Sequence, residues 1–374
     1  MLERIFDRLD AIYDEMVNLR RDFHQNPELS FEEVRTPQII ADYHHKLGLE
    51  VRTEVGGRGV VATLRGGKPG RTVALRADFD ALPIQEETDV PYKSKNDGKM
   101  HACGHDAHTA QLLGLAKVLV EHKDQIAGNI VFIHQFAEEL TPGGAKPMIE
   151  DGCLEGVDAI FGTHLWSPYP VGTIGYGVGP VMANADYFNI EVIGKGGHGG
   201  LPHETIDAIV AASRLVTDLQ QIVGRNIDPL KSAVVTVGTF QAGNTFNVVA
   251  EKASLSGTVR TFDDDVRDKI EQRMDEIVRH TCEGAGAQGQ LSYVRGYPAV
   301  VNHKDETELL VKAAKSVVSE NQIFEMPPVM GGEDFAYYLQ HVPGTFFFTG
   351  AGNEKMDAIY PHHHPKFNID ERSM

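Results

Sequence analysis

Between His101 and His108 the chain carries three imidazoles, one thiol and one carboxyl group, and helical sequence follows directly. Cys103 and His105 sit one residue apart, which puts two good transition-metal donors on one short loop. The plainer alternative is a polar loop with a buried cysteine and Asp106 capping the next helix. Further donors elsewhere decide between them. Asp78 and Asp80 end one apolar run, Glu138 and Glu139 end a second, His164 follows a third, and His362, His363 and His364 stand together near the C-terminus. Two divalent cations about 3.5–4 Å apart need a shared donor and further ligands on each side. Cys103, His105, Glu139, His164 and one histidine of the 362–364 run meet that need.

Each of these residues has a duller reading. An isolated Glu-Glu is usually a solvated pair, and a lone histidine such as His164 is usually a satisfied core residue. Asp78 and Asp80 are either helix caps or groups that orient ligands and water. Position past an apolar strand favours chemistry, because ligands in open α/β sheets collect beyond the carboxyl ends of the strands. Adjacent carboxylates beside cations also divide roles, one becoming a ligand and its neighbour a general base. Cys153 and Cys282 lie in apolar contexts and are assigned to packing.

The elements that position these groups follow from periodicity. Residues 2–24 read as an amphipathic helix, residues 31–47 as a second and residues 109–121 as a third. Apolar strand runs at 59–64, 72–76, 128–134 and 158–163 alternate with them, which argues for an α/β sheet. From about residue 183 the texture changes to strand 187–193, helix 205–222, strands 233–240 and 251–260, helix 264–282 and strand 290–294. That βαββαβ order is ferredoxin-like. It reads as an insertion at 183–296 between two parts of one α/β domain, 1–182 and 297–374. The Gly-rich turn at 194–200 lacks dinucleotide-binding spacing.

The 374 residues exceed what one core usually serves. The 35 basic and 53 acidic residues leave a net charge of −18, which repels nucleic acid and anionic membrane. No apolar run approaches a membrane span, and the acidic N-terminus is unlike a signal peptide. Three cysteines make no disulfide framework, which points to the cytoplasm.

Seven motifs occur in a family's order: Arg76-Ala-Asp-Phe-Asp-Ala-Leu-Pro83, Met100-His-Ala-Cys-Gly-His-Asp-Ala-His108, Gln135-Phe-Ala-Glu-Glu139, Gly196-Gly-His198, Gly257-Thr-Val-Arg-Thr261, Gly332-Glu-Asp-Phe335 and His363-His-Pro365. Through them the chain resembles the two-metal aminoacylase and carboxypeptidase family of metallopeptidases. The nearest branch holds hippurate hydrolases, indole-acetyl-amino-acid hydrolases and N-acetyl-diaminopimelate deacetylases. The resemblance implies a zinc-peptidase-like α/β catalytic domain with an inserted ferredoxin-like α+β lid and dimerisation domain.

It further implies Cys103, His105, Glu139, His164 and His363 as ligands of two divalent ions, Zn or Mn with Co or Ni admissible. Glu138 matches the general base and Asp78 an acid that orients the metal site. His198, Asn247 and Arg260 match substrate contacts. The expected reaction is cleavage of an N-acyl amino acid, N-acetyl, N-benzoyl or similar, to a carboxylate and a free amino acid by a metal-activated water. A dipeptidase or carboxypeptidase is the near alternative, and a non-catalytic binding protein the remote one. The expected partners are the small-molecule substrate and a second copy through the lid domain, with a tetramer as the larger alternative. Three departures stand out: Phe136 where the family has Pro, His364 where it has a small polar residue, and an end at Met374 where relatives continue into a helix.

Overall fold

The structure is a computed structural model and describes residues 2–374. It comprises two compact units: residues up to Val181 with Val300–Pro327 and Asp334–Met374, and Met182–Ala299 with Pro328–Glu333. The first unit begins with helices Leu2–Ala11 (α1), Tyr13–Gln25 (α2) and Arg35–Lys46 (α3). Strands Glu50–Val55 (β1), Gly59–Arg65 (β2) and Lys68–Asp78 (β3) follow. Next come helix His105–Glu121 (α4), strand Ala127–Gln135 (β4), helix Ala145–Glu150 (α5), and strands Ala159–Pro170 (β5), Ile174–Tyr176 (β6) and Gly179–Met182 (β7).

The second unit holds strands Ala185–Ile193 (β8) and Gly197–His198 (β9), helix Ala208–Gln221 (α6), strands Ala233–Ala242 (β10), Val248–Val249 (β11) and Lys252–Thr261 (β12), helix Asp264–Gly284 (α7) and strand Gln288–Tyr297 (β13). The first unit resumes with strand Val300–Asn302 (β14), helix Lys304–Ala314 (α8), strand Ile323–Glu325 (β15), helix Phe335–Leu339 (α9) and strand Gly344–Gly352 (β16).

An eight-stranded mixed sheet, ordered β1-β2-β4-β3-β5-β16-β6-β15, carries the first unit. Its centre is parallel, with β3 beside both β4 and β5, and β5 beside β16. Helix α4 is apolar on more than one side because it packs twice. Leu112 and Ala116 meet Ala62, Leu64, Ala77 and Phe132 of the sheet, while Val118 meets Ile5, Ile12 and Met16 of the N-terminal helices. The second unit is a four-stranded antiparallel sheet ordered β10-β12-β8-β13, with a core shared by α6 and α7. Taken in chain order its four strands run 2-3-1-4, the ferredoxin-like arrangement.

Three local expectations are corrected. The first helix breaks at Ile12 into α1 and α2. The third begins at His105 rather than Thr109, because Gly104 at φ 95° makes the left-handed turn that starts it. His164 lies inside β5 rather than past its end, since pairing with β16 carries that strand on to Pro170.

Candidate metal centre

Every donor anticipated in the α/β domain lies in the first unit, and the strand ends deliver them. β3 ends at Asp78 and leads to Asp80, β4 ends at Gln135 and leads to Glu138 and Glu139, and β5 carries His164. The first turn of α4 adds His105 and His108, three residues apart on one face. A turn at the far end of the chain adds His362 and His363.

Two largely buried triads share Cys103, each with its potential ligand atoms within 4.8 Å of one another: Cys103, His105 and Glu139, and Cys103, His164 and His362; Asp78, His105 and His108 form a further, fully buried group. His105 donates from Nδ1 to Asp80, whose carbonyl and Oδ1 both lie at 3.1 Å. In the neutral ring that leaves the lone pair on Nε2, an atom that is buried with no hydrogen-bond partner. Glu139 Oε1 lies 3.8 Å from that nitrogen and Glu138 Oε2 lies 4.0 Å from it. His164 donates from Nδ1 to the Leu165 carbonyl at 2.7 Å, which turns its Nε2 toward the Cys103 sulfur at 3.4 Å. His363 Nε2 stands 3.3 Å from Glu139 Oε1, and His363 holds the left-handed backbone at φ 66°. Such strain is characteristic of sites where the surroundings over-determine a side chain.

Asp78, completely buried, takes Arg76 and the His108 Nδ1 proton, the latter at 2.6 Å. It lies 3.8 Å from His105 Nε2. Asp80, singled out in sequence without a fixed role, is the group that sets the His105 tautomer. It also receives Ser30 at 2.6 Å and the Glu139 backbone N–H at 3.0 Å, which ties the carboxylate loop to the metal loop. Phe136 packs edge-on against Phe31, and Glu33 accepts the Ala137 N–H at 3.0 Å. Asp106 is no helix cap: its carboxylate pairs with Arg20 instead.

The electrostatics ask for a cation. Burial would depress the His105 imidazole, but Asp78, the hydrogen-bonded Asp80 and Glu139 override it and raise it to about 10. Burial, reinforced by Glu139 and Glu138, pushes the Cys103 thiol well above its ordinary value. Burial drives His164 far down, so it stays neutral. An unpartnered imidazole nitrogen, a thiol beside carboxylates and a neutral imidazole fit a divalent ion that supplies the missing positive charge.

Sequence reasoning left the donor open within the 362–364 run and the resemblance took His363; the structure brings His362 to Cys103 as well. Its ring stacks on Trp166 at 4.6 Å, with Nδ1 3.6 Å from Cys103 Sγ. Spacing cannot rank three adjacent histidines. His364 turns away and stacks on Tyr360.

The three residues anticipated in the inserted domain lie in the second unit. His198, exposed in β9, accepts the Gly200 N–H on Nδ1 at 2.9 Å. Asn247 is exposed, its carbonyl taking the Gly199 N–H at 2.8 Å. Arg260 in β12 spends one guanidinium nitrogen on Asp186 and Val259 carbonyls and on the Thr258 hydroxyl.

The profile of Peptidase family M20/M25/M40 matches residues 74–373. Bacillus subtilis (strain 168) YhaA, whose name is that of an amidohydrolase, is 56% identical over 372 residues, covering 100% of this chain and 94% of its own. Thermostable carboxypeptidase 2 of Saccharolobus solfataricus is 44% identical over 99% of this chain and 94% of its own. N-acetyl-L-cysteine deacetylase of Bacillus subtilis is 42% identical over 98% and 86%. Among solved structures, an aminohydrolase from methicillin-resistant Staphylococcus aureus superposes with a TM-score of 0.93 at 44% identity, covering 100% of this chain and 96% of its own. Bacillus subtilis YxeP, described as a dinuclear metal-binding peptidase of the M20 family, does so with a TM-score of 0.84 at 37% identity, covering 97% and 94%.

Proposed function

Because the chain belongs to peptidase family M20/M25/M40 and is a hydrolase, we propose that it cleaves the amide bond of N-acyl amino acids, releasing a carboxylate and a free amino acid. The observation that carries this reading is Cys103 set beside His105 and Glu139 on one side and His164 on the other, with the buried Glu138 beside His105. Cys103, His105, Glu139, His164 and His363 would hold two divalent ions, Zn or Mn. Ions held there would supply Lewis-acid polarisation of the scissile carbonyl and would acidify a water. Glu138 would take a proton from the attacking water and pass it to the leaving nitrogen. Asp80 holds His105 in the tautomer that presents Nε2, and Asp78 holds His108 and balances Arg76. His198, Asn247 and Arg260 are proposed as substrate contacts on the family resemblance.

A carboxypeptidase reading is supported by the Saccharolobus relative. A panel of N-acetyl, N-benzoyl and N-succinyl amino acids, run beside dipeptides and with metal analysis, separates the two. Faster turnover of the acyl amino acids is expected; preference for dipeptides sinks the first reading. The same reading includes a cytoplasmic homodimer through the second unit, and a monomer in sedimentation would refute the pairing. Among the described residues no helix is long and apolar enough to cross a membrane.

A further inference from the structure

Strand β5 ends its pairing with β3 at Gly162, so beyond that point one edge has no strand beside it. Two N–H groups farther along, at Leu165 and Ser167, are taken by imidazoles instead. Leu165 donates to His108 Nε2 at 2.9 Å, and Ser167 donates to His362 Nε2 at 3.2 Å. Residues two apart in a strand point their N–H groups the same way, so one strand edge addresses both rings.

The consequence is a fixed tautomer for each. An imidazole nitrogen that accepts a backbone N–H carries no proton, so the proton of the neutral ring sits on the other nitrogen. For His108 that proton points to Asp78 Oδ1. For His362 it points to Cys103, whose Sγ at 3.6 Å is within reach of an N–H···S bond and whose backbone is a second acceptor. The ring cannot easily swing to offer a lone pair, because Trp166 stacks on it and Phe367 lies 4.9 Å from it.

We propose that His362 is a positioning residue for the metal centre, an N–H···S donor that orients the Cys103 sulfur and draws charge from it, and not a sixth metal ligand. The inference rests on the reading of Cys103 as a metal donor given above. A sulfur set between His105 and His164 would need one fixed direction and a moderated charge to hold a cation. Partners that orient a ligand are worth about 10–100-fold in metal affinity.

The test uses the cobalt-loaded protein with His362→Phe, which keeps the stack on Trp166 and removes the donor. His362→Asn, whose amide restores an N–H near the Nδ1 position, is the rescue. The readouts are cobalt per chain, chelator competition and the thiolate-to-cobalt charge-transfer band. His362→Phe is expected to keep two ions per chain, to bind them about 10-fold or more weakly, and to move the band to lower energy. His362→Asn should return both values toward the wild type. Loss of one ion per chain in His362→Phe would make His362 a ligand and overturn the proposal. Unchanged affinity and band would reduce it to packing and overturn it equally. Absence of any thiolate band in the wild type would instead overturn Cys103 as donor, and with it the metal-site reading.

Discussion

The first turn of α4 contributes to two buried polar clusters that are built on opposite principles. Toward the N-terminal helices, Asp106 receives Arg20 and His24, each at 2.8 Å, His24 reaches Glu86 at 3.3 Å, and Arg20 continues to Glu371 at 3.0 Å. Each acid there faces a cation. Burial would raise the Asp106 carboxyl, yet Arg20 and His24 hold it far below its usual range. Toward the strand ends, Asp78, Asp80, Glu138 and Glu139 gather around His105, and Arg76 is paired with Asp78. One cluster is closed in charge, although Asp106 Oδ1 keeps no hydrogen-bond partner, and the other carries an excess of acid around the unpartnered His105 Nε2. Buried acids that each face a cation hold the fold; a buried excess of acid left without one is where a cation belongs.

The largest expected effect breaks the open cluster without emptying it. Glu138→Ala should lower turnover by about 10²–10⁴-fold, the usual worth of a general base, while metal analysis finds the same ion content. Cys103→Ala and Glu139→Ala should instead lose metal. If Glu138→Ala loses metal as well, the two carboxylates have been assigned the wrong way round.

The closed cluster answers to a different measurement. Arg20 and Asp106 are each 1% exposed, so Arg20→Met leaves a buried carboxylate without its main partner. Removing one member of such a pair costs about 3–5 kcal/mol, read as a lower urea midpoint. A midpoint within error of the wild type would mean the network contributes no stability.

How much of this contrast could be read from sequence follows from what each cluster depends on. Cys103 and His105 are legible because residue type and spacing alone mark them. Asp78, Glu138 and Glu139 are legible because they follow apolar strands in an α/β pattern. The ferredoxin-like unit is legible because its strands alternate and its helices repeat at helical spacing. The Arg20–Asp106 pair is not, since 86 residues separate the partners and only the packing of α2 on α4 joins them. Nor is the sorting of His362, His363 and His364, which depends on a left-handed residue in the middle of the run.

A third polar pair tests the rule at intermediate size. His44 and His134 share a proton between their Nε2 atoms at 2.9 Å, and Thr109 links His134 to the Asp78 carbonyl. Burial, with a smaller push from His45, lowers His44 to about 4. The unfolded chain takes up a proton on this residue below about pH 6.5, which the folded chain refuses until about pH 4. Stability therefore falls as pH drops through that window, by up to about 3 kcal/mol. His44→Gln, which keeps a donor and does not titrate, should flatten the fall in denaturation measured from pH 7 to 4.5. An equally steep profile in the variant would assign the acid sensitivity elsewhere.

The smallest effect is expected where the closed cluster meets water. Arg21 binds Glu371 through two hydrogen bonds, at 2.9 and 2.6 Å, which on geometry alone rivals the Arg20 contact to the same carboxylate. Its side chain is 41% exposed, however, whereas that of Arg20 is 1% exposed. Water and salt screen the outer pair, and Glu371 keeps Arg20 when Arg21 is gone. Arg21→Ala should therefore cost no more than about 1 kcal/mol, and the cost should shrink further as salt is raised. Because both arginines share Glu371, a double-mutant cycle between them should show coupling. If Arg21→Ala proves as damaging as Arg20→Met, hydrogen-bond geometry and not burial governs this cluster, and the distinction between closed and open polarity loses its physical basis.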